Sequence, residues 1–280
     1  MTEELQKKVD FDIRLIQSAG KKASEHGQPL EICYSGGKDS DVILHLAKLS
    51  GVWFRAIYKN TTIDPPGTIA HAISNGVEIL RPSRSFFKII ERNGFPNRLK
   101  RFCCGYLKEF KVLDTAVMGV RRSESTKRAK LYTEPTQCRF YGSKKNHVEA
   151  FYPILEWTNE DVAEYIEHEH IQCHPLYYDE DGVFHVERRL GCMCCPLAYK
   201  PKRIEQFKQR PNMVKAYLRA GQRFVDTHPK VLEKYPDVYA LFVRDVFYPD
   251  IPKKWEELNS GLFEKPDYKK FIEDYFNIKL

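Results

Sequence analysis

The stretch LEICYSGGKDSDVILHLAK, Leu30 to Lys48, constrains this chain more than any other. A short apolar run, Leu30 to Tyr34, meets the turn Ser35–Lys38, after which Val42, Ile43, Leu46 and Ala47 fall on one side of a helix running from Asp39 to Leu49. A strand that enters a helix through two glycines points successive main-chain N–H groups at one spot, at the positive end of the helix dipole. Such a turn suits a phosphate or a sulfate. Gly36 and Gly37 admit backbone conformations and a close approach that a Cβ would block. Lys38 adds a cation, Ser35 and Ser40 add hydroxyl donors, and Asp39 is a carboxylate able to cap the helix or to help hold magnesium. The spacing is not that of a Walker A loop.

The flanking pattern extends this turn into a fold. Leu5, Val9, Ile13 and Ile16 predict an amphipathic helix over Thr2–His26, closed by Gly27 and Pro29. Val52–Tyr58 is a second strand, Val77–Leu80 a third and Leu113–Val120 a fourth, with helices expected at Ser85–Gly94 and over the GYLKEFKV segment. Alternation of this kind predicts an α/β class, a doubly wound and mainly parallel sheet whose ligand sits beyond the strands' carboxyl ends. The polar segment Glu134–Val148 is expected to be an irregular loop, and Thr158–Glu169 a helix opened by a Thr-x-x-Asp cap. Beyond Pro196 the chain becomes basic and aromatic, and Val214, Tyr217, Leu218, Gly221, Phe224 and Val225 form one helical stripe. Three regions follow: an N-terminal helix at 1–28, a nucleotide-binding domain carrying the cysteines at 29–198, and a helical C-terminal appendage at 199–280.

Among 280 residues, 45 Lys and Arg against 38 Asp and Glu leave a net charge of +7, which favours anionic partners without choosing among nucleotides, sulfate esters and nucleic acid. No apolar run approaches the ~18 residues of a membrane span, so a cytoplasmic chain without membrane attachment is expected. In that compartment eight cysteines are not a disulfide scaffold. Cys103 and Cys104 are adjacent, and Cys192 and Cys195 form a CxxC pair, so four sulfurs are available for a [4Fe–4S] cluster or a tetrahedral zinc ion, unless they are simply buried thiols. Cys194 is surplus.

After the fourth strand, GVRRSESTKRAK crowds Arg121, Arg122, Lys127, Arg128 and Lys130 into one window, where guanidinium groups suit phosphate oxygens. This block, SGGKDS, YKNTTIDPPGTIAHA, RFCCGYLKEFKV, FYPILEWTNEDVAEYI and RLGCMCCPLA stand in the order found in the phosphoadenylylsulfate (PAPS) reductase and PP-loop ATP pyrophosphatase family, which the chain resembles over Leu30–Ala198. The resemblance implies an adenine nucleotide alpha hydrolase-like fold and a bound adenine nucleotide, either ATP with Mg2+ or (phospho)adenylylsulfate. It implies that Ser35, Gly36, Gly37, Lys38, Asp39, Ser40, Asn60, Thr62, Arg121, Glu124 and Ser125 bind the nucleotide, with Lys38, Asp39, Arg121 and Arg128 acting in catalysis. Cys103, Cys104, Cys192 and Cys195 are by the same resemblance the ligands of a cluster, zinc being the lesser candidate.

Reductases of this family use a cysteine in a C-terminal ECGLH-like motif, and no cysteine follows Cys195 here. The expectation therefore shifts from sulfonucleotide reduction toward cleavage of ATP to AMP and pyrophosphate, as in the similar ATP pyrophosphatases of DNA phosphorothioation. A nucleic acid or a sulfur-donor protein is the expected partner. A nucleic-acid-binding module using Tyr199–Arg210 is the non-enzymatic alternative.

Overall fold

The computed structural model describes residues 1–141, 143–247, 249–259 and 266–280. The chain divides into two units built from interleaved segments: Met1–Asn60, Asp64–Arg81 and Glu109–Gly191 form the first, and Thr61–Ile63, Pro82–Lys108 and Cys192–Leu280 the second. The boundaries expected at 28 and 198 follow sequence order, whereas the packed units are discontinuous, and both cysteine groups belong to the second.

The first unit is a six-stranded sheet with flanking helices. Its elements are α1 (Glu3–Glu25), β1 (Leu30–Tyr34), α2 (Lys38–Ser50), β2 (Phe54–Lys59), α3 (Thr68–Ser74), β3 (Glu78–Leu80), β4 (Thr115–Met118), α6 (Thr126–Leu131), β5 (Thr136–Tyr141), β6 (Ser143–Phe151) and α7 (Asn159–His168). The strand order is β3-β2-β1-β4-β6-β5, parallel throughout except for the β5–β6 pair. Strand alternation sorts the side chains onto two faces. Ile32, Tyr34, Val117 and Phe151 join the core beneath α1, α2 and α7, while Cys33, Ala116, Met118, Val148 and Ala150 join a smaller cluster with Tyr152 and Leu155. The doubly wound, mainly parallel sheet is thus the expected one.

Two expectations fail locally. Glu134–Val148 is not a loop but most of an antiparallel hairpin, with Gly142 outside the described residues. Its outer strand β5 is an edge with mostly exposed side chains, so it carries no apolar alternation to read. The helix expected over GYLKEFKV lies earlier, as α5 (Phe102–Leu107), where Lys108 N–H bonds the Cys104 carbonyl and ends it. The Thr158 cap is as expected: its hydroxyl accepts from Asp161 N–H while the Asp161 carboxylate accepts from Thr158 N–H.

The second unit is helical, comprising α4 (Phe86–Asn93), α5, α8 (Lys200–Gln209), α9 (Pro211–Thr227), α10 (Val238–Val246), α11 (Asp250–Asn259) and α12 (Tyr268–Phe276). Its core is aromatic, with Phe86, Phe95, Phe207, Tyr217, Phe242, Phe247 and Phe271 all buried. The α9 stripe read from the sequence faces this core. At Gly221 a Cβ would stand 2.2 Å from the Phe95 ring, so only glycine lets α9 pack there. No helix among the described residues is long and apolar enough to cross a membrane.

Candidate functional site

The glycine turn lies at the carboxyl end of β1, beside the end of β4, and its hydroxyls hold it in shape. Ser40 Oγ accepts from Ser35 N–H (3.2 Å) and donates to the Gly37 carbonyl (2.7 Å), and Ser35 Oγ accepts from Gly37 N–H (3.4 Å). Gly36 has φ +77°, and a Cβ there would meet Thr68 Cγ2 at 2.8 Å. Gly37 is the N-cap of α2 and no side chain caps it. Asp39, expected to cap, instead lies in the first turn with its carboxylate engaged by two cations: Lys38 Nζ at 3.2 Å and Arg121 Nε at 2.7 Å.

Lys38 and Arg121 are both buried. Burial pushes the Lys38 ammonium down, with Asp39 opposing and the nearby Arg121 and Arg189 adding to the push. Arg121 also donates to Ser123 Oγ (3.1 Å), the Trp157 carbonyl (3.4 Å) and Asn159 Oδ1 (3.0 Å), which makes it a brace that locks Asp39 to the start of α7. Arg128, more exposed, pairs with Glu124, and Arg189 donates to the Glu124 carbonyl at 2.8 Å. Burial and the neighbouring Arg189 push the Arg128 guanidinium down. Ser125 is spent on capping α6, accepting from Arg128 N–H.

Four cations therefore gather at this turn, three of them expected. Arg189 was not singled out from the sequence, although it opens the quoted RLGCMCC block and its neighbour Leu190 packs 3.3 Å from a Cβ placed on Gly36. Tyr177 was also missed. Its hydroxyl accepts from Leu190 N–H at 3.3 Å and lies 3.2 Å from a Cβ placed on Gly37, beside the N-terminus of α2, with Lys38 Nζ 5.5 Å from its ring centre. Behind the turn, buried Asp41 takes hydrogen bonds from Tyr34 and His71, and burial pushes its carboxyl up. His174 caps the short helix Pro175–Tyr177 by accepting from Leu176 N–H.

Asn60 and Thr62, also expected to bind the nucleotide, each engage the main chain of a neighbouring segment. Asn60 follows β2 in the first unit, and its N–H donates to the Leu80 carbonyl. Thr62 belongs to the second unit, in the left-handed region at φ +64°, and its hydroxyl accepts from Phe86 N–H at 2.8 Å.

Within the second unit, Cys103, Cys104, Cys192 and Cys195 line one cavity with Thr61, Ile63, Phe86, Leu107 and Pro196. The sequence placed these four cysteines in two distant groups, and the fold gathers them. The neighbouring Cys104 thiol, then burial, then Cys195 and Cys192 push the Cys103 thiol far up. The Cys192 thiol donates to Thr61 Oγ1 at 3.5 Å. No three His, Cys, Asp or Glu side chains among the described residues converge as a single-ion site does. The space between the four cysteines, about 20 Å3, is partly open and its exposed lining is apolar. The donor set, four sulfurs with apolar walls, fits a cysteine-ligated cluster in its chemistry. Cys194 stands apart: it is fully buried in the left-handed region, and burial pushes its thiol up to about 12. An inaccessible thiol held protonated is no nucleophile.

A parallel α/β sheet with a glycine turn at a strand's carboxyl end, crowned by cations, defines a class of anion- and nucleotide-binding folds. Residues 29–198 match the phosphoadenosine phosphosulfate reductase domain, and the chain belongs to that family. It is 28% identical over 204 residues to sulfate adenylyltransferase subunit 2 of Shewanella frigidimarina, covering 58% of this chain and 64% of that one. It is 32% identical over 162 residues to a 37.8 kDa protein from the gpa 5′ region of Escherichia phage 186, covering 52% and 45%. The chain thus spans about half to two thirds of the length of the curated relatives it matches. Among solved structures, PAPS reductase from Candida auris in a phosphate complex aligns with a TM-score of 0.44 at 15% identity, over 69% of this chain and 96% of that one. That likeness is too slight to carry a functional argument.

Proposed function

We propose that the chain binds ATP at the Ser35–Ser40 turn and cleaves it between the α and β phosphates, transferring AMP to an acceptor. The observation that carries this reading is the gathering of Lys38, Arg121, Arg128 and Arg189 around the N-terminal turn of α2, whose N-cap Gly37 offers no side chain to the helix. Pyrophosphate is the leaving group with the most charge to neutralise, and fixed cations at its site stabilise the charge that develops as the bond breaks. In this reading Lys38 and Arg128 meet phosphate oxygens, with Arg189 beside them. Arg121 and Asp39 are positioning residues that set the direction of Lys38.

Relatives named sulfate adenylyltransferase subunit 2 support adenylyl transfer, and their designation as a subunit makes a partner chain part of the proposal. Magnesium would arrive on the nucleotide's phosphates, because Asp39 between Lys38 and Arg121 is a poor ligand for a further cation. The four cysteines would hold a [4Fe–4S] cluster, which supplies electron or sulfur chemistry when bound. The nucleic-acid reading of Tyr199–Arg210 has less support, since Arg203 and Phe207 in that segment are buried.

The test is incubation of the purified chain with ATP, magnesium and candidate acceptors, sulfate among them. AMP and pyrophosphate are expected. ADP and phosphate as the sole products would overturn the reading, and sulfite release from PAPS or adenylylsulfate would replace it with reduction.

A further inference from the structure

Arg203 on α8 is 2% exposed, yet no carboxylate pairs with it among the described residues. Its Nε donates to the Cys194 carbonyl (2.9 Å) and its Nη1 to the Asp245 carbonyl (2.9 Å), while Nη2 is buried with no partner. The Asp245 carboxylate is engaged elsewhere, by Arg244 at 2.9 and 2.7 Å and by Asn97 at 3.3 Å. Tyr217, fully buried on α9, carries a second partnerless polar atom, its hydroxyl. The Tyr217 hydroxyl lies next to the Arg203 guanidinium, with Cys194 and Cys103 also near it. A cation and a hydroxyl, each without its full set of partners, thus sit against the backbone and thiols of the two cysteine segments.

A buried guanidinium with no carboxylate partner leaves the folded state short of a negative charge. Its main-chain bonds to two carbonyls do not supply one. Four cysteines around one cavity do, once deprotonated onto a cluster, because four thiolates outweigh the positive charge of an iron–sulfur core. Hydrogen bonds and charge near the sulfurs are among the levers that set such a group's potential.

We propose that Arg203, assisted by Tyr217, is a built-in counter-charge for an anionic four-cysteine cluster, holding the Cys192–Cys195 loop by its backbone and favouring the reduced form. This rests on the cluster reading given above. Arg203 touches no sulfur ligand directly, so it is a positioning and charge-balancing residue. Removing a fixed cation makes the extra electron harder to accept, so the potential should fall.

The experiment is anaerobic reconstitution of the full chain with ferrous iron and sulfide, followed by iron and sulfide analysis and a redox titration read by visible absorbance. Arg203→Met is expected to shift the ratio of reduced to oxidised cluster at a fixed poise about tenfold toward oxidised, ~59 mV downward for one electron. Arg203→Lys, which keeps the charge, should restore most of that shift, and Tyr217→Phe should give a smaller fall. Arg203→Gln, still able to donate to the Cys194 carbonyl, covers the case in which Arg203→Met does not fold. A wild-type potential in both neutral variants overturns the proposal while leaving the cluster in place. A wild-type chain that takes up zinc but no iron with sulfide overturns the cluster reading and the proposal together.

Discussion

The glycine turn and the cysteine cavity manage charge in opposite ways. At the turn, Lys38 and Arg121 are buried but share the Asp39 carboxylate, and Arg121 fills its remaining donors with Ser123, Asn159 and a carbonyl. In the cysteine region the buried cation Arg203 bonds two carbonyls and no carboxylate, and four thiols line a small apolar space. The first site is electrostatically complete as folded and keeps a net positive surplus for an incoming anion. The second, on the reading proposed above, is completed when its sulfurs ionise onto a cluster. A preorganised site pays its reorganisation cost during folding, whereas an incomplete one ties its own stability to the group it holds.

The contrast breaks first at Lys38. Lys38→Ala is expected to lower AMP formation by about 10²–10³-fold, the range for loss of one preorganised charge partner. Gly36→Ala should approach the same loss, because the new Cβ sits at positive φ and overlaps Thr68. Iron uptake by both variants should match wild type. If it falls as well, the two sites are not the separate systems described.

Cysteine substitutions test the other side. Cys103→Ser or Cys192→Ser should cut iron per chain about tenfold or more and lower the melting temperature of the reconstituted protein, since bound metal is folding free energy. ATP affinity measured by calorimetry should stay within about threefold of wild type. A parallel collapse in ATP binding would show that the turn depends on the cysteine region.

Much of this was readable in the chain. The turn was legible because six consecutive residues carry it and a strand and a helix with clean periodicity flank it, so local sequence suffices. Gathering Cys103 and Cys104 with Cys192 and Cys195 rested on family order rather than on spacing. Arg203 was invisible because in sequence it belongs to the run YKPKRIEQFKQR, which reads as a solvated basic patch, and only packing reveals that one of its cations points inward. The β5–β6 hairpin escaped for the converse reason: an edge strand with exposed polar side chains has no apolar alternation to show. Thr62 is a candidate contact because it follows the second strand, and only packing reveals that its hydroxyl accepts from Phe86 N–H.

The arginines at the turn sharpen the comparison at smaller scale. Arg128→Ala should weaken ATP binding about tenfold with little change in melting temperature, because its side chain is partly exposed and its partner Glu124 also has Arg189 nearby. Arg121→Lys should instead lower the melting temperature and AMP formation together, since an ammonium cannot reproduce the fork that reaches Asp39, Ser123 and Asn159. Equal melting temperatures for both variants would remove the distinction between a ligand-facing and a bracing arginine.

The smallest expected effect concerns Asp12 on α1, which is buried and accepts a hydrogen bond from Trp157 Nε1 at 2.8 Å. Burial pushes its carboxyl up to about 8, against the favourable indole bond and the Lys8 charge. The folded chain therefore holds a proton on Asp12 where the unfolded chain has lost it. Its contribution to stability is complete below about pH 4 and is lost progressively as the pH rises from there through 8. Asp12→Asn keeps the acceptor for Trp157 without an ionisable proton, so it should flatten that slope and raise stability near pH 8 relative to wild type. Urea unfolding between pH 5 and 9 measures both curves. Because Trp157 also presents its carbonyl to Arg121, the same titration should leave AMP formation unchanged only if the brace holds the turn independently of the indole. A parallel pH dependence in activity for wild type but not Asp12→Asn would show that strain at α1 reaches Lys38.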